Sequence, residues 1–353
     1  MRETVVSSSR PIVAIAALIA LLAGACAAPR PAPPRPAALA ASLRGHHHSV
    51  TSLVLSPDGG RLISGSRDGR LRLWNTATDT PEATLSPNWW PSSMWTVAVS
   101  PDGALVAGGA DDFLVHIWDV KTRKLRVVLE GHTQSIRVLG WSSDGRLFAS
   151  GGRDTTVRLW DTATWKEIAR LPHLNTVRGL AWAPDGARLF SGTADDVIYA
   201  WEVRSGTLLA TLRGHRNTVH ALAITPDGRT LVSGAADQTL RLWSLAASTS
   251  SNVLSLDRSD EPPTRWESYG IHPGPEVMAV AASPDGHLVA SAHRDSAIRL
   301  WSLPSGHELT RLPSPAATTY AVVFSRDGRY LYSGGDDDAI HRWDLARVLS
   351  VAR

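Results

Sequence analysis

Short runs of alternating apolar and polar residues dominate the chain from residue 38 onward. Residues 52–55 and 71–74 are examples, and each run is long enough for one strand. A period of two places successive side chains on opposite faces of a strand. No long segment with the 3.6-residue period of a helix interrupts these runs. The pattern therefore predicts an all-β protein built from short strands.

The runs recur in seven repeats, each marked by an Asp six residues before a Trp. Successive marker Trp residues are separated by 44, 42, 41, 42, 58 and 42 residues, which is typical of a repeat architecture. A turn of Ser-Pro-Asp-Gly type precedes each marker, as at 56–59, and its Asp-Gly pair favours a hairpin reversal. Four strands fit into each repeat. The marker pairs are Asp68/Trp74, Asp112/Trp118, Asp154/Trp160, Asp195/Trp201, Asp237/Trp243, Asp295/Trp301 and Asp337/Trp343.

The repeats resemble those of the WD-repeat β-propeller family. The Gly-His element of that family occurs at residues 45–46, 131–132 and 214–215, and its Trp-Asp ending occurs at 118–119, 160–161 and 343–344. The resemblance covers residues 38 to about 347. It implies a seven-bladed β-propeller of four-stranded antiparallel blades.

The resemblance also implies a hydrogen-bonded set of His, Ser, Asp and Trp within a blade. The Asp would accept from turn amides and the His ring, and the Ser would link the His to the indole N–H, so that each buried polar atom has a partner. The second repeat departs, because Gly108 replaces the Ser and there is no His. The sixth and seventh repeats lack a clear His, with His272 as a candidate substitute. The matching sets are His46, Ser64, Asp68 and Trp74; His132, Ser150, Asp154 and Trp160; His173, Ser191, Asp195 and Trp201; and His215, Ser233, Asp237 and Trp243.

The ends of the repeat region predict how the ring closes. After Trp343 only ten residues follow, and they lack the outer strand that the earlier repeats supply. Residues 39–46 closely copy residues 208–215, which include an outer strand. We therefore expect residues 39–44 to pair with the last blade, which removes an exposed sheet edge.

The N-terminal 25 residues have the pattern of a signal peptide, with Arg2 and Arg10 before an apolar run that ends at Cys26. The run from 11 to 25 is shorter than the ~20 residues that span a bilayer. Residues 22–26 resemble a bacterial lipobox, which implies lipidation of Cys26 and attachment to a membrane of the cell envelope. Ordinary cleavage and secretion of a soluble protein is the alternative.

Residues 26–37 are predicted to be a lipidated Cys and a spacer, followed by a propeller over 38–353. Five prolines lie between residues 27 and 37, a composition that favours extended polyproline II at ~3 Å per residue.

Charge and cysteine content exclude several classes of function. The formal net charge is +3, and four arginines but only one acidic residue lie in the first 35 residues, so the rest of the chain is close to neutral. This argues against a nucleic-acid binder. Cys26 is the only cysteine, which excludes an intrachain disulfide and a Cys-rich zinc site.

The repeated His-Ser-Asp sets resemble catalytic triads, but their recurrence together with a Trp indicates a structural network, because an active site normally occurs once. The sequence has no Gly-rich phosphate loop, His-Glu-x-x-His or Gly-x-Ser-x-Gly motif. We therefore predict a non-catalytic protein with no metal and no cofactor.

Binding is predicted at the top mouth of the central channel, where the resemblance places the residues just before each turn Asp and those near the start of each inner strand. Arginines beside aromatic side chains are typical of binding hot spots. The preferred partner is an acidic or aromatic-containing peptide or protein loop, bound by a monomeric propeller within a larger complex. Arginines that only solvate the surface, and a small-ligand or enzymatic site in the channel, are the alternatives. The candidate residues are Arg67, Trp95, Arg137, Arg153, Arg178, His220, Arg294 and Tyr320.

Tryptophan is abundant, at 14 residues, and four of these fall on two irregular loops. Trp89, Trp90 and Trp95 stand where other repeats have Gly-His, and Trp266 lies in an insertion around 257–275. Aromatic residues on loops indicate a contact surface. They could instead fold back over their own blade, where the His is missing.

Overall fold

The computed structural model describes residues 38–86, 92–245, 254–255 and 275–351. These residues form seven four-stranded antiparallel sheets, in each of which neighbouring strands are hydrogen-bonded. The innermost strand of each sheet contacts those of the preceding and following sheets, so that the sheets form a closed ring of seven blades. The predicted all-β, seven-bladed propeller is confirmed. The predicted signal peptide, Cys26 and the spacer lie outside the described residues.

The blades are numbered 1 to 7 from the first innermost strand. The innermost strands are β2 (Val50–Leu55), β6 (Met94–Val99), β10 (Ile136–Trp141), β14 (Val177–Trp182), β18 (Val219–Ile224), β22 (Val277–Ala282) and β26 (Thr319–Phe324). The second strands are β3 (Arg61–Ser66), β7 (Leu105–Ala110), β11 (Leu147–Gly152), β15 (Arg188–Thr193), β19 (Thr230–Ala235), β23 (Leu288–His293) and β27 (Tyr330–Gly335). The third strands are β4 (Leu71–Asn75), β8 (Val115–Asp119), β12 (Thr156–Asp161), β16 (Ile198–Glu202), β20 (Leu240–Ser244), β24 (Ala297–Ser302) and β28 (Ala339–Asp344). The outer strands are β5 (Thr80–Leu85), β9 (Leu125–Leu129), β13 (Glu167–Pro172), β17 (Thr207–Leu212), β21 (Leu254–Ser255), β25 (Glu308–Pro313) and β1 (Leu39–Arg44), the last of which belongs to blade 7.

The ring closes where β1 pairs antiparallel with β28, as the sequence predicts. Leu43 lies opposite Ile340 in this ladder, and both are buried in a cluster that includes Val50 and Trp74 of blade 1. Across the same seam, the Arg342 guanidinium of blade 7 lies 2.9 Å from the Asp79 carboxylate of blade 1. The closure seam is therefore held by both apolar packing and an ion pair between blades 7 and 1.

The Ser-Pro-Asp-Gly turns form because one carboxylate satisfies several local donors. In blade 1, Asp58 Oδ1 accepts from the Ser56 hydroxyl at 2.5 Å and from the Gly60 amide at 3.0 Å. Gly59 has a φ of 73°, a left-handed conformation that glycine adopts without a steric penalty. This chemistry explains why the turn sequence predicts each hairpin between the first and second strands.

A short helix, α1 (Leu345–Val351), follows the last strand. Asp344 caps it by accepting from the amides of Ala346 at 3.0 Å and Arg347 at 3.3 Å, while Leu345 and Val348 are buried. In the described part of the chain, no helix has the length and apolar character needed to cross a bilayer.

Neighbouring blades approach closely at a glycine in the second strand. A Cβ added to Gly234 would lie 2.4 Å from Val277 Cγ1 of the next blade, and one added to Gly334 would lie 2.6 Å from Val50 Cγ1 across the closure seam. Blade 6 has Ala292 at this position. The other glycines whose added Cβ would meet the next blade within 3 Å are Gly65, Gly109, Gly151 and Gly192.

We predict that Gly234→Ala lowers the free energy of unfolding by about 1–3 kcal/mol, because the new methyl group overpacks against Val277. Gly60→Ala is the matched control, since its Cβ would meet nothing closer than 3.5 Å. Denaturant unfolding measures both, and Val277→Ala in the Gly234→Ala chain should recover part of the loss. Equal midpoints for the two single variants would contradict this account of blade packing.

Candidate functional site

Three of the four His-Ser-Asp-Trp sets form the hydrogen bonds that the resemblance implies. In blade 1, His46 donates from Nδ1 to Asp68 at 2.9 Å and accepts at Nε2 from Ser64 Oγ at 2.7 Å, while the Trp74 indole donates to Ser64 at 2.8 Å. The sets around His132 and His215 have the same bonds, at 2.6–2.9 Å. Ser64 has no exposed surface. These groups are therefore mutually satisfied and closed to solvent.

The set in blade 4 departs from the expectation at Asp195. His173 bonds to Ser191 at 2.7 Å, but its Nδ1 donates to the Leu171 carbonyl at 3.0 Å, and Asp195 accepts instead from the Tyr199 hydroxyl at 3.2 Å. Pro172 precedes this His where the other sets have a glycine. Proline fixes φ near −65°, whereas Gly131 and Gly214 have φ of 146° and 153°, so His173 enters its blade differently.

Blades 2 and 7 use a histidine that the sequence analysis missed. His116 donates to Asp112 at 2.8 Å, and His341 donates to Asp337 at 2.7 Å and contacts Ser42 Oγ at 3.0 Å. Both lie two residues before the marker Trp, which is a spacing that could have identified them. In blade 2, Met94 fills the space of the missing Ser side chain, since its sulfur would lie 2.6 Å from a Cβ on Gly108.

Blade 6 takes its histidine from the second strand. His293 accepts from Ser291 at 2.8 Å and donates to the Pro275 carbonyl at 3.1 Å, and the Trp301 indole donates to the same Ser. Asp295 pairs with Arg299 at 2.6 Å. His293 therefore occupies the site for which His272 was the candidate, and His272 lies outside the described residues.

Burial and hydrogen bonding shift the pKa values of these groups in consistent directions. Burial raises the pKa of Asp68 and Asp154, but the bonded His rings and turn amides outweigh it and lower both to about 2. Burial lowers the pKa of His173 and His293 to about 4. At neutral pH these two histidines are uncharged parts of the scaffold.

A β-bulge near the start of each innermost strand positions one side chain around the axis of the ring. In each blade the pairing of first and second strands skips one residue, as between Val50 and Ser52. Bulges of this kind re-aim a side chain. The skipped residues are Thr51, Trp95, Arg137, Arg178, His220, Met278 and Tyr320.

The residue before each turn Asp is held beside these bulges by a backbone hydrogen bond. The Arg67 amide donates to Ser49 O at 3.0 Å, and the Arg153 amide donates to Ser135 O at 2.9 Å. The corresponding residues are Arg67, Asp111, Arg153, Ala194, Ala236, Arg294 and Asp336. Together with the seven bulge residues and with Glu276, which precedes β22 and pairs with Arg294, they are called the channel mouth.

Side chains from four blades form a stacked row along one part of the channel mouth. The Arg137 guanidinium lies 3.8 Å from the Trp95 ring centroid, and that of Arg67 lies 4.9 Å from Trp95 and 5.1 Å from Tyr320. A cation over an aromatic face is attracted by the ring quadrupole. Trp95 thus lies at the mouth, and Met94 rather than Trp95 covers the gap in blade 2.

The ion pairs of the channel mouth are unevenly distributed. Arg137 lies 3.8 Å from Asp111, whereas Arg294 lies 3.2 Å from Glu276, which is also 3.8 Å from His220. Within the described residues, Arg153 and Arg178 form no ion pair. Burial lowers the pKa of Arg137 to about 10, with the nearby charges of Arg178 and Arg67 adding to the effect, so Arg137 remains a cation at neutral pH.

Several polar atoms of the channel mouth are buried without a hydrogen-bond partner. Of fifteen such side-chain atoms in the described chain, five lie here: Nε of Arg67, Arg137 and Arg178, Nε1 of Trp95, and Nε2 of His220. A buried polar atom without a partner carries a desolvation cost that a bound ligand would relieve.

Most of the sequence-predicted binding residues meet at the channel mouth. The sequence analysis missed Glu276, although a signal was present, since the six other blades have Ser or Thr at this position. Trp89, Trp90 and Trp266 lie outside the described residues. No group of three or more His, Cys, Asp or Glu side chains in the described ranges is arranged to hold a metal ion.

The fold and its repeating hydrogen-bonded sets define a propeller of WD type. A family model for the WD domain, G-beta repeat, matches residues 38–75, 80–119, 123–161, 165–202, 206–244, 266–302 and 306–344, and the chain belongs to this family.

Curated relatives match only parts of the chain. The nuclear distribution protein PAC1 of Arthroderma benhamiae is 38% identical over 68 residues, or 19% of this chain and 15% of that protein. The small ribosomal subunit protein RACK1y of Oryza sativa subsp. japonica is 38% identical over 73 residues, or 21% of each. Telomerase protein component 1 of Rattus norvegicus is 32% identical over 82 residues, or 23% of this chain and 3% of that protein.

We predict that the free energy of unfolding decreases as the pH falls from about 6.5 to about 4. His173 and His293 have an ordinary pKa of 6.5 when unfolded and about 4 when folded, so in this window the unfolded chain binds protons that the folded chain does not. Each histidine contributes at most about 1.4 kcal/mol per pH unit. Urea unfolding at pH 7 and 4.5 measures the change.

His293→Gln should reduce this pH dependence, because the amide cannot take up the proton. His47→Gln is the control, since His47 is exposed. Equal unfolding free energies of the unaltered protein at pH 7 and 4.5 would contradict the prediction.

Proposed function

We propose that the protein is a non-catalytic interaction module whose channel mouth binds an acidic peptide or protein loop. The observation that carries this proposal is the grouping of arginine and aromatic side chains from separate blades, with buried polar atoms left without partners. Arginine can bind carboxylates through two parallel hydrogen bonds, and stacked aromatic side chains supply contact area.

The burial and the internal hydrogen bonds of the His-Ser-Asp sets support the non-catalytic part of the proposal. Both ring nitrogens of His46 are engaged, and Ser64 accepts from the Trp74 indole while bonding to the His. A nucleophile in such a position has no free approach for a substrate. The names of two relatives, a small ribosomal subunit protein and a telomerase protein component, support a place within a larger assembly.

We also propose that the propeller is displayed from a membrane of the bacterial cell envelope by a lipid on Cys26. The apolar run from 11 to 25 and the lipobox-like residues 22–26 support this proposal. The Pro-rich spacer would hold the ring about 30 Å from the membrane surface. Secretion as a soluble protein is the alternative.

We predict that replacing Trp95, Arg137 and Arg178 together with Ala removes the partner protein recovered by crosslinking and affinity purification from the native envelope. The replacement removes two cations and the ring on which one of them stacks. The control carries Arg146→Ala, Arg229→Ala and Leu209→Ala, all at exposed positions. An unchanged set of partners in the folded triple variant would refute binding at the channel mouth.

We predict that Cys26→Ala moves the protein from the membrane fraction to the soluble fraction, because the attachment point of the lipid is lost. Fractionation followed by immunoblotting measures the change, and mass spectrometry of the mature N-terminus identifies the lipid. A protein that is fully soluble before the substitution and unchanged after it would show that no anchor exists.

A further inference from the structure

We propose that the acidic segment of the partner lies across blades 1 to 4 only, and that Glu276 keeps it away from blades 5 and 6. The proposal rests on the function proposed above, and it specifies which part of the channel mouth makes the contact. The proposal predicts that the carboxylates of the partner lie along one side of the channel mouth and that the partner does not insert into the centre of the ring.

Charge is distributed asymmetrically around the channel mouth. Blades 1 to 4 contribute four arginines, Arg67, Arg137, Arg153 and Arg178, against one carboxylate, Asp111. These four arginines are called the cationic arc.

The opposite side of the mouth carries no excess of positive charge. Blades 5 to 7 contribute Arg294 against two carboxylates, Glu276 and Asp336. Burial also lowers the pKa of His220, which keeps its ring uncharged at neutral pH. An acidic segment is therefore attracted to one side of the mouth and repelled by the other.

The arginines of the cationic arc are also the ones available to a ligand. Arg153 and Arg178 have no ion pair among the described residues, and the single pair of Arg137 is long, at 3.8 Å. By contrast, Arg294 contacts both oxygens of Glu276, at 3.3 and 3.2 Å. An incoming carboxylate would relieve the mutual repulsion in the arc, but it would have to displace Glu276 to reach Arg294.

Stacking against Trp95 holds two arginines of the cationic arc in place for binding planar anions such as carboxylates. Because Arg137 and Arg67 lie over Trp95, their guanidinium groups are each in contact with a side chain of a neighbouring blade. A stacked guanidinium keeps its in-plane N–H groups free, and these match the two oxygens of a carboxylate. Less side-chain freedom is then lost on binding, which favours affinity.

Glu276 limits how far an acidic segment can extend beyond the cationic arc. Its side chain is only 8% exposed, and its pKa is lowered because the nearby His220 ring, 3.8 Å away, and the charge of Arg294 outweigh the raising effect of burial. It is therefore a buried carboxylate at neutral pH on the edge of the mouth. Replacing it with Gln would remove a repulsive charge and release Arg294 to bind a ligand.

Fluorescence anisotropy with a labelled hexaglutamate peptide, using the full-length protein at low salt, tests the arc. Arg178→Met and Arg153→Met should each weaken binding about tenfold, and Glu276→Gln should strengthen it severalfold. If only the cationic arc binds, the double variant Glu276→Gln, Arg294→Met, which conserves net charge, should bind within twofold of the unaltered protein. The matched control is Arg146→Met, which removes a cation at an exposed position outside the channel mouth and should leave binding unchanged. Raising the salt concentration should weaken binding throughout. Thermal unfolding verifies that every variant is folded.

The outcomes separate this inference from the proposed function. If the charge-conserving double variant loses as much affinity as Arg178→Met, the proposal that only the cationic arc binds is wrong. The proposal that the channel mouth binds an acidic segment would still stand. If the folded Arg178→Met, Arg153→Met and Glu276→Gln variants all bind like the unaltered protein, both proposals fail. Equal binding of hexaglutamine would overturn recognition by charge. Tighter binding of a single-stranded oligonucleotide, lost in the same arginine variants, would overturn the assignment to an acidic peptide.

Discussion

The ring depends on the close approach between a glycine in six of the seven second strands and a side chain of the next innermost strand. At Gly234 and Gly334 a methyl group would already overlap the neighbouring valine, so the distance between blades is set by the absence of a side chain. Since the same contact is made at the closure seam, the last blade meets the first as any other pair does. Strand β1 then completes blade 7, and the arginine-aspartate pair adds to a seam that is already packed.

In the hydrogen-bonded sets, the blades share the need for a hydrogen-bond partner, but the residue that supplies it differs from blade to blade. The turn carboxylate of a blade needs a side-chain donor, and His46, His116 and Tyr199 supply one from different positions. His293 shows the same for the serine and indole of blade 6. This freedom explains why a blade without the Gly-His element still folds.

The sequence predicts the number of blades and the closure strand, because both depend on a period and a copied segment that are visible along the chain. It also predicts most of the channel mouth, since position within a repeat determines position around the ring. It does not predict the bond between Asp195 and Tyr199, because that choice depends on how Pro172 directs the chain. The role of Glu276 was not predicted for a related reason. Its departure from the Ser or Thr of the other blades is visible along the chain, but its contacts with Arg294 and with His220 of the preceding blade are not.

The bulge in each innermost strand has a consequence for how such a protein can change. The skipped residue leaves the hydrogen-bonded ladder of the first two strands, so its side chain is not fixed by that pairing, and residues as different as Thr51, Trp95 and Arg178 occupy equivalent places. Under the proposed function, recognition and folding are thus encoded in different residues of the same strand. A new specificity could be acquired one blade at a time, with each step leaving the ring intact.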